Sequence, residues 1–231
     1  MLHERAVVFD LDDTLYPFRR FILSGFATCA RQLARRRGVD ARRAFRLMVK
    51  AFRQDGQGRE VQTTLGLLGL SDRLTPGLVD DIIWGRGLNL RLPASSRRVL
   101  RDLRARGWKL GVLTNGDPEV QARKVDALGL SAYVDAIVFA AEHGSGKPSP
   151  TAFYEVARRL HVMPSQTIVV GDDEWCDVNG ARMVGMRPVR FIGHRHWPPG
   201  PSAADLVLTR ISDLPGAAAA LLADQRGSHA A

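Results

Sequence analysis

The chain runs to 231 residues, 45% apolar and 25% charged, which is room for one large domain or for a core domain with a smaller companion. Its formal charge of +9 favours anionic ligands, but its Arg runs, such as Arg35-Arg36-Arg37 and Arg158-Arg159, are scattered and carry no interleaved aromatics. They read as solvated helix faces, which argues against a nucleic-acid footprint, and no window is apolar enough for a membrane span.

The first element in chain order is the apolar run Ala6-Val7-Val8-Phe9, a short strand that Asp10 cuts off before it could act as a secretory leader. About a hundred residues then pass without a strong strand pattern. Helical spacing takes over instead. It runs over 21–37 (Phe21, Ile22, Gly25, Phe26, Cys29, Leu33), over 41–52 (Ala44, Phe45, Leu47, Met48, Phe52), and over 60–70 and 76–86. Pro93 is the natural exit from this stretch. Beyond it, apolar runs at 109–113, 136–139, 167–170, 188–192 and 205–208 alternate with helical patterns at 95–106, 118–128, 149–161, 174–185 and 211–223. Continuous apolar runs suit strands buried on both faces, and strand–helix alternation predicts parallel pairing. The expected fold is α/β, with a Rossmann-like parallel-sheet core over 1–16 and 93–231 and an all-helical domain inserted over 17–92. Cys29 and Cys176 form neither a metal pair nor a disulfide framework, which suits a reducing cytoplasm.

In such a sheet the chemistry lies at the carboxyl ends of the strands. There the sequence places Asp10-Leu11-Asp12-Asp13-Thr14, Thr114-Asn115-Gly116-Asp117, Gly144-Ser145-Gly146-Lys147-Pro148 and Gly171-Asp172-Asp173-Glu174-Trp175-Cys176-Asp177. Crowded carboxylates repel one another unless a cation offsets them, and an all-oxygen set of ligands suits Mg²⁺. A lysine adds a fixed positive charge for phosphate oxygens, and Thr114 and Asn115 offer hydrogen-bond donors. Asp117, just before Pro118, reads as a helix N-cap. Lys147 is followed by Pro148, so the glycine-rich stretch is not a nucleotide-triphosphate loop.

Phe9-Asp10-Leu11-Asp12-Asp13-Thr14, Leu113-Thr114-Asn115-Gly116, Gly146-Lys147-Pro148 and Gly171-Asp172-Asp173 through Asp177 resemble, in order, the four motifs of the haloacid dehalogenase-like hydrolase superfamily. The resemblance implies a phosphatase. Asp10 would be the covalent nucleophile and Asp12 the general acid and base. Mg²⁺ would be held by Asp10, the Asp12 carbonyl and Asp172. Thr114, Asn115 and Lys147 would meet the phosphate, and Asp177 and Asp173 would brace the metal site. Dehalogenases of the family carry a different residue where this chain has Asp12. A halide leaves without a proton and an alkoxide does not, so phosphate-ester cleavage is favoured.

The insertion at 17–92 matches the position of the family's type-one cap, which closes over the site and chooses the substrate. Arg19, Arg53, Gln57 and Arg59 are its candidate substrate contacts. The Tyr16-Pro17 start resembles members acting on nucleoside monophosphates or N-acylneuraminate 9-phosphate, so the expected partner is a small phosphorylated molecule. A phosphomutase-type phosphotransferase and a catalytically silent binding module of the same fold are the alternatives.

Overall fold

A computed structural model of the chain describes residues 4–55, 60–70, 89–194 and 200–223. The chain divides into two compact units, one of Met1–Pro17 with Arg91–Ala231 and the other of Phe18–Leu90.

The first unit is built on six parallel strands: β1 (Ala6–Phe9), β2 (Lys109–Thr114), β3 (Ala136–Phe139), β4 (Thr167–Gly171), β5 (Arg187–Phe191) and β6 (Leu206–Leu208). Their order across the sheet is β3-β2-β1-β4-β5-β6, so β1 lies between β2 and β4 and the strand sequence reverses there. Ala6 pairs with Lys109 on one side and Thr167 on the other. All four residues of β1 are buried, as a strand covered on both faces requires.

The helices of this unit are α4 (Ala94–Ala105), α5 (Pro118–Leu128), α6 (Pro150–Leu160), α7 (Gly180–Met183) and α8 (Leu214–Ala223), and all but α7 fall within a few residues of the pattern read from sequence. Helix α5 has defined ends. The Asp117 carboxylate accepts from the amides of Glu119 (2.9 Å) and Val120 (3.2 Å), Pro118 opens the first turn, and Gly129 closes the last at φ 63°. Helix α6 lies close on the sheet because position 111 in β2 is glycine. A Cβ there would stand 3.0 Å from a Leu160 methyl and 3.1 Å from one of Val156. Phe153, Val156 and Leu160 thus join Val8, Leu113 and Val138 in one buried cluster.

One element differs in kind from the expectation. The segment 174–185 is not a single α-helix but a π-helical turn, Glu174–Asn179, followed by the short α7. The amides of Asp177 and Val178 both reach back to the Asp173 carbonyl, at 3.0 and 3.2 Å, and this wider turn carries the Asp177 side chain inward.

The regular elements among the described residues of the second unit are all helices: α1 (Arg19–Arg37), α2 (Ala41–Asp55) and α3 (Glu60–Leu67). Gly38, at φ 66°, ends α1, and Arg35, Arg36 and Arg37 occupy its last turn, where the helix dipole favours cations. Phe26, Cys29, Leu33, Ala44 and Met48 form its buried face. The helix expected over 76–86 lies outside the described residues. Among the described residues no helix is long and apolar enough to cross a membrane.

Candidate active site

The sheet order puts the ends of β3, β2, β1 and β4 side by side, and the loops that follow them bring the acidic and basic side chains together. Asp10, the first residue past β1, is anchored by its amide to the Val170 carbonyl at 2.8 Å and is 7% exposed. The Lys147 ammonium donates to Asp10 Oδ1 and to Asp177 Oδ1, each at 2.6 Å, and to the Leu113 carbonyl at 3.1 Å. Asn115 fixes the loop that delivers the lysine: its amide donates to the Lys147 carbonyl at 3.0 Å and accepts from the Lys147 amide at 2.7 Å. Gly146 makes this close approach possible, since a Cβ at that position would stand 2.9 Å from Asn115 Oδ1.

Asp177 rests on Gly171 at the end of β4. Any side chain at 171 would overlap the Asp177 carboxyl, with a Cβ only 2.2 Å from its Cγ. Asp177 Oδ2 accepts from the Asp173 amide at 3.1 Å. The Asp173 carboxylate itself turns away to cap the π-helical turn, accepting from the amides of Trp175 (2.9 Å) and Cys176 (2.7 Å). The Asp172 carbonyl accepts from Arg190 Nε at 3.3 Å, and the buried Arg190 also pairs with Glu174 at 3.0 Å. One oxygen from each of Asp10, Asp172 and Asp177 lies within 4.8 Å of the others.

Three carboxylates around one ammonium leave an excess of negative charge in a buried place. Burial, and the nearby Asp177 and Asp172 charges, outweigh Lys147 and push the Asp10 carboxyl up to about 8. Burial alone would lower the Lys147 ammonium, but the Asp10 and Asp177 carboxylates reverse it and hold its proton above the ordinary lysine range. The donor set fits a hard divalent cation: all oxygen, mostly buried, and short of positive charge. The Cys176 thiol is pushed up to about 11 by burial and then by Asp173 and Asp177, so it stays protonated and unreactive.

Asp12 faces a second set of partners. Its Oδ1 accepts from the Tyr16 hydroxyl at 2.5 Å, and its Oδ2 from Lys124 at 2.8 Å and from Gln121 at 3.1 Å. Gln121 Nε2 also lies 2.5 Å from Thr114 Oγ1 and 2.7 Å from the Asn115 carbonyl. The sequence reading did not single out Tyr16, Gln121, Lys124 or Arg190 for these places. The signal for Gln121 and Lys124 was present: both fall on the face of α5 that carries Val120, Val125 and Leu128, where polar residues need a partner. Of the remaining predicted contacts, Arg19 and Arg53 are exposed residues of the helical unit, and Gln57 and Arg59 lie outside the described residues. Arg53 lines a groove of about 410 Å³ on α2 with Phe45, Arg46, Val49, Lys50 and Gln54.

A family model described as haloacid dehalogenase-like hydrolase matches residues 4–185. The chain belongs to the haloacid dehalogenase-like hydrolases. Among similar proteins, ribulose-1,5-bisphosphate 5-phosphatase of Halopiger xanaduensis is 29% identical, over 80% of this chain and 84% of the relative. Glyceraldehyde 3-phosphate phosphatase of Methanopyrus kandleri is 31% identical, over 81% and 83%. Among solved structures of this hydrolase family, a phosphatase from Thermococcus onnurineus superposes with a TM-score of 0.63 at 25% identity, covering 92% of this chain and 96% of its own. A 2-haloacid dehalogenase from Pseudomonas syringae gives the same TM-score and identity, over 96% and 99%. The fold is therefore common to both chemistries, and the choice between them falls to individual side chains.

Proposed function

We propose that this hydrolase is a Mg²⁺-dependent phosphomonoesterase that cleaves a small phosphorylated substrate, a sugar phosphate or nucleotide, through an aspartyl-phosphate on Asp10. The observation that carries the reading is the Asp10 carboxylate, held by Lys147 and gathered with Asp172 and Asp177, with a second carboxyl, Asp12, two residues along. The relatives named as sugar-phosphate phosphatases support the substrate class. Asp10 and Asp172, with the Asp12 carbonyl, would hold Mg²⁺, and the ion when bound supplies positive charge against the oxygens of the transferring group.

The chain's own residues account for the rest. An Asp10 oxygen forms a bond to phosphorus as the bond to the leaving oxygen breaks, and Asp12 gives that oxygen its proton. Water then attacks the aspartyl-phosphate, Asp12 takes its proton, and inorganic phosphate leaves with Asp10 restored. Lys147 keeps the nucleophile aimed and offsets charge, and Thr114 donates its hydroxyl to a phosphate oxygen. Asn115 serves the phosphate by fixing the Lys147 loop. Asp177 braces the lysine, and Asp173 shapes the turn that presents Asp177. Asp12 favours phosphate esters over carbon–halogen bonds, because only the former require an acid.

The helical unit, inserted directly after Asp10 and its loop, is proposed as a cap over 17–92 that selects the substrate. Its exposed Arg19 and Arg53, with Gln57 and Arg59, are the proposed contacts to the non-reacting part. The test is release of phosphate from a panel of phosphate esters with Mg²⁺, by wild type and by Asp10→Asn. Turnover that needs Mg²⁺ and vanishes in Asp10→Asn supports the reading. Silence of the wild type across the panel, or full activity in the variant, overturns it.

A further inference from the structure

The Asp12 carboxyl is bound on both of its oxygens by side chains that are themselves buried: Tyr16 is 0% exposed, Gln121 1% and Lys124 3%. Gln121 and Lys124 are three positions apart on α5, so they share a face, and the Asp117 cap and Pro118 set where that face begins. A buried lysine and glutamine on an otherwise apolar helix face cost desolvation, and a buried ion pair adds little net stability over apolar side chains of similar volume. Their return is geometric: one donor on Oδ1 and two on Oδ2 leave the carboxyl a single orientation.

We propose that Tyr16, Gln121 and Lys124 are positioning residues that clamp the Asp12 carboxyl in the orientation from which it serves the leaving oxygen. The proposal rests on the phosphatase reading above and assigns these three residues a part in it. Gln121 ties the clamp to the phosphate side of the site. By donating to Thr114 Oγ1 at 2.5 Å it fills an acceptor position of the threonine, whose O–H, set on the Asn115 carbonyl at a long 3.3 Å, can turn to a phosphate oxygen. Lys124 and Tyr16 each place a hydrogen bond directly on the Asp12 carboxyl.

The experiment uses the full chain with Mg²⁺ and two substrates of similar shape, 4-nitrophenyl phosphate and phenyl phosphate. Nitrophenolate departs without a proton and phenolate needs one, and kcat/KM covers the steps up to that departure. Lys124→Met and Tyr16→Phe are each expected to lower kcat/KM for phenyl phosphate on the order of tenfold, a fraction of what a complete general acid supplies. The value for 4-nitrophenyl phosphate should hardly change, and Asp12→Asn should show the same selective loss more strongly. A variant that was merely misfolded would lose both substrates together. Equal loss on both substrates, or no loss on either, overturns the clamp and leaves the phosphatase reading standing. A wild type idle on both substrates overturns the two together. If circular dichroism shows Lys124→Met unfolded, Tyr16→Phe, which keeps the buried ring, decides alone.

Discussion

Replacing Lys147 by methionine keeps the length of the buried stem and removes the ammonium that pairs with both Asp10 and Asp177. Two carboxylates then lose their 2.6 Å partner, and Asp172 stays close enough to add its repulsion. Taking one member from a buried ion pair costs about 3–5 kcal/mol. For a chain of this size each kcal/mol moves the melting temperature by roughly 2–4 °C, so a fall of about 6–20 °C is expected at pH 7 without metal. The sign of the pH dependence follows from Asp10. Its folded value, about 8, lies above the ordinary 3.8, so the stability linked to it is complete below about pH 4 and is lost as pH rises toward 8. Without the ammonium that rise is larger, so the Asp10 share of the Lys147→Met deficit should emerge as pH climbs through about 8 and vanish toward pH 4. Thermal melts followed by circular dichroism at pH 4.5, pH 7 and pH 9 with EDTA measure both. A melting temperature at pH 7 equal to wild type, or a deficit that grows on acidification, would refute the reasoning.

Mg²⁺ at about 100 times its dissociation constant should stabilise the wild type by about 2.7 kcal/mol. At one fixed Mg²⁺ concentration the gain should rise from pH 5 to pH 8, because the ion competes with the proton held on Asp10; melts with and without Mg²⁺ read this out, and Asp172→Asn should remove most of it. Gly171→Ala forces the Asp177 carboxyl aside, so it should cost about 1–3 kcal/mol in a urea melt and lose most phosphate release. Asp117→Ala strips two amides at the start of α5 of their acceptor and should cost about 0.5–2 kcal/mol by the same measurement.

The parts of the fold that were legible in sequence are those where one local signal suffices. Ala6-Val7-Val8-Phe9 is apolar throughout because β1 is buried on both faces, and Asp117-Pro118 announces a helix start by capping chemistry alone. Lys147 was legible because its loop follows a strand and precedes Pro148 in a pattern already populated by acidic strand ends. The π-helical turn at Glu174–Asn179 was not, because apolar spacing over six residues cannot tell one helical pitch from another. Gln121 and Lys124 escaped for a related reason. Their place on the apolar face of α5 could be read, but that Asp12 lies opposite to them is a fact of packing. Arg190 read as a strand residue, and only the structure brings Glu174 and the Asp172 carbonyl to it.

The place of β1 has a consequence for the order in which the chain folds. The strand that bears the nucleophile pairs with Lys109–Val112 and Thr167–Val170, both far downstream, while the helices inserted behind it pack through near neighbours. On a ribosome the helical unit can therefore form while β1 still waits without an edge to join. Closing such long loops is slow, so the central strand must stay unpaired until the chain has passed Val112, and its other edge stays open until Val170 has been made. Catalytic competence is then the last property to appear, and its recovery on refolding would time the completion of the sheet.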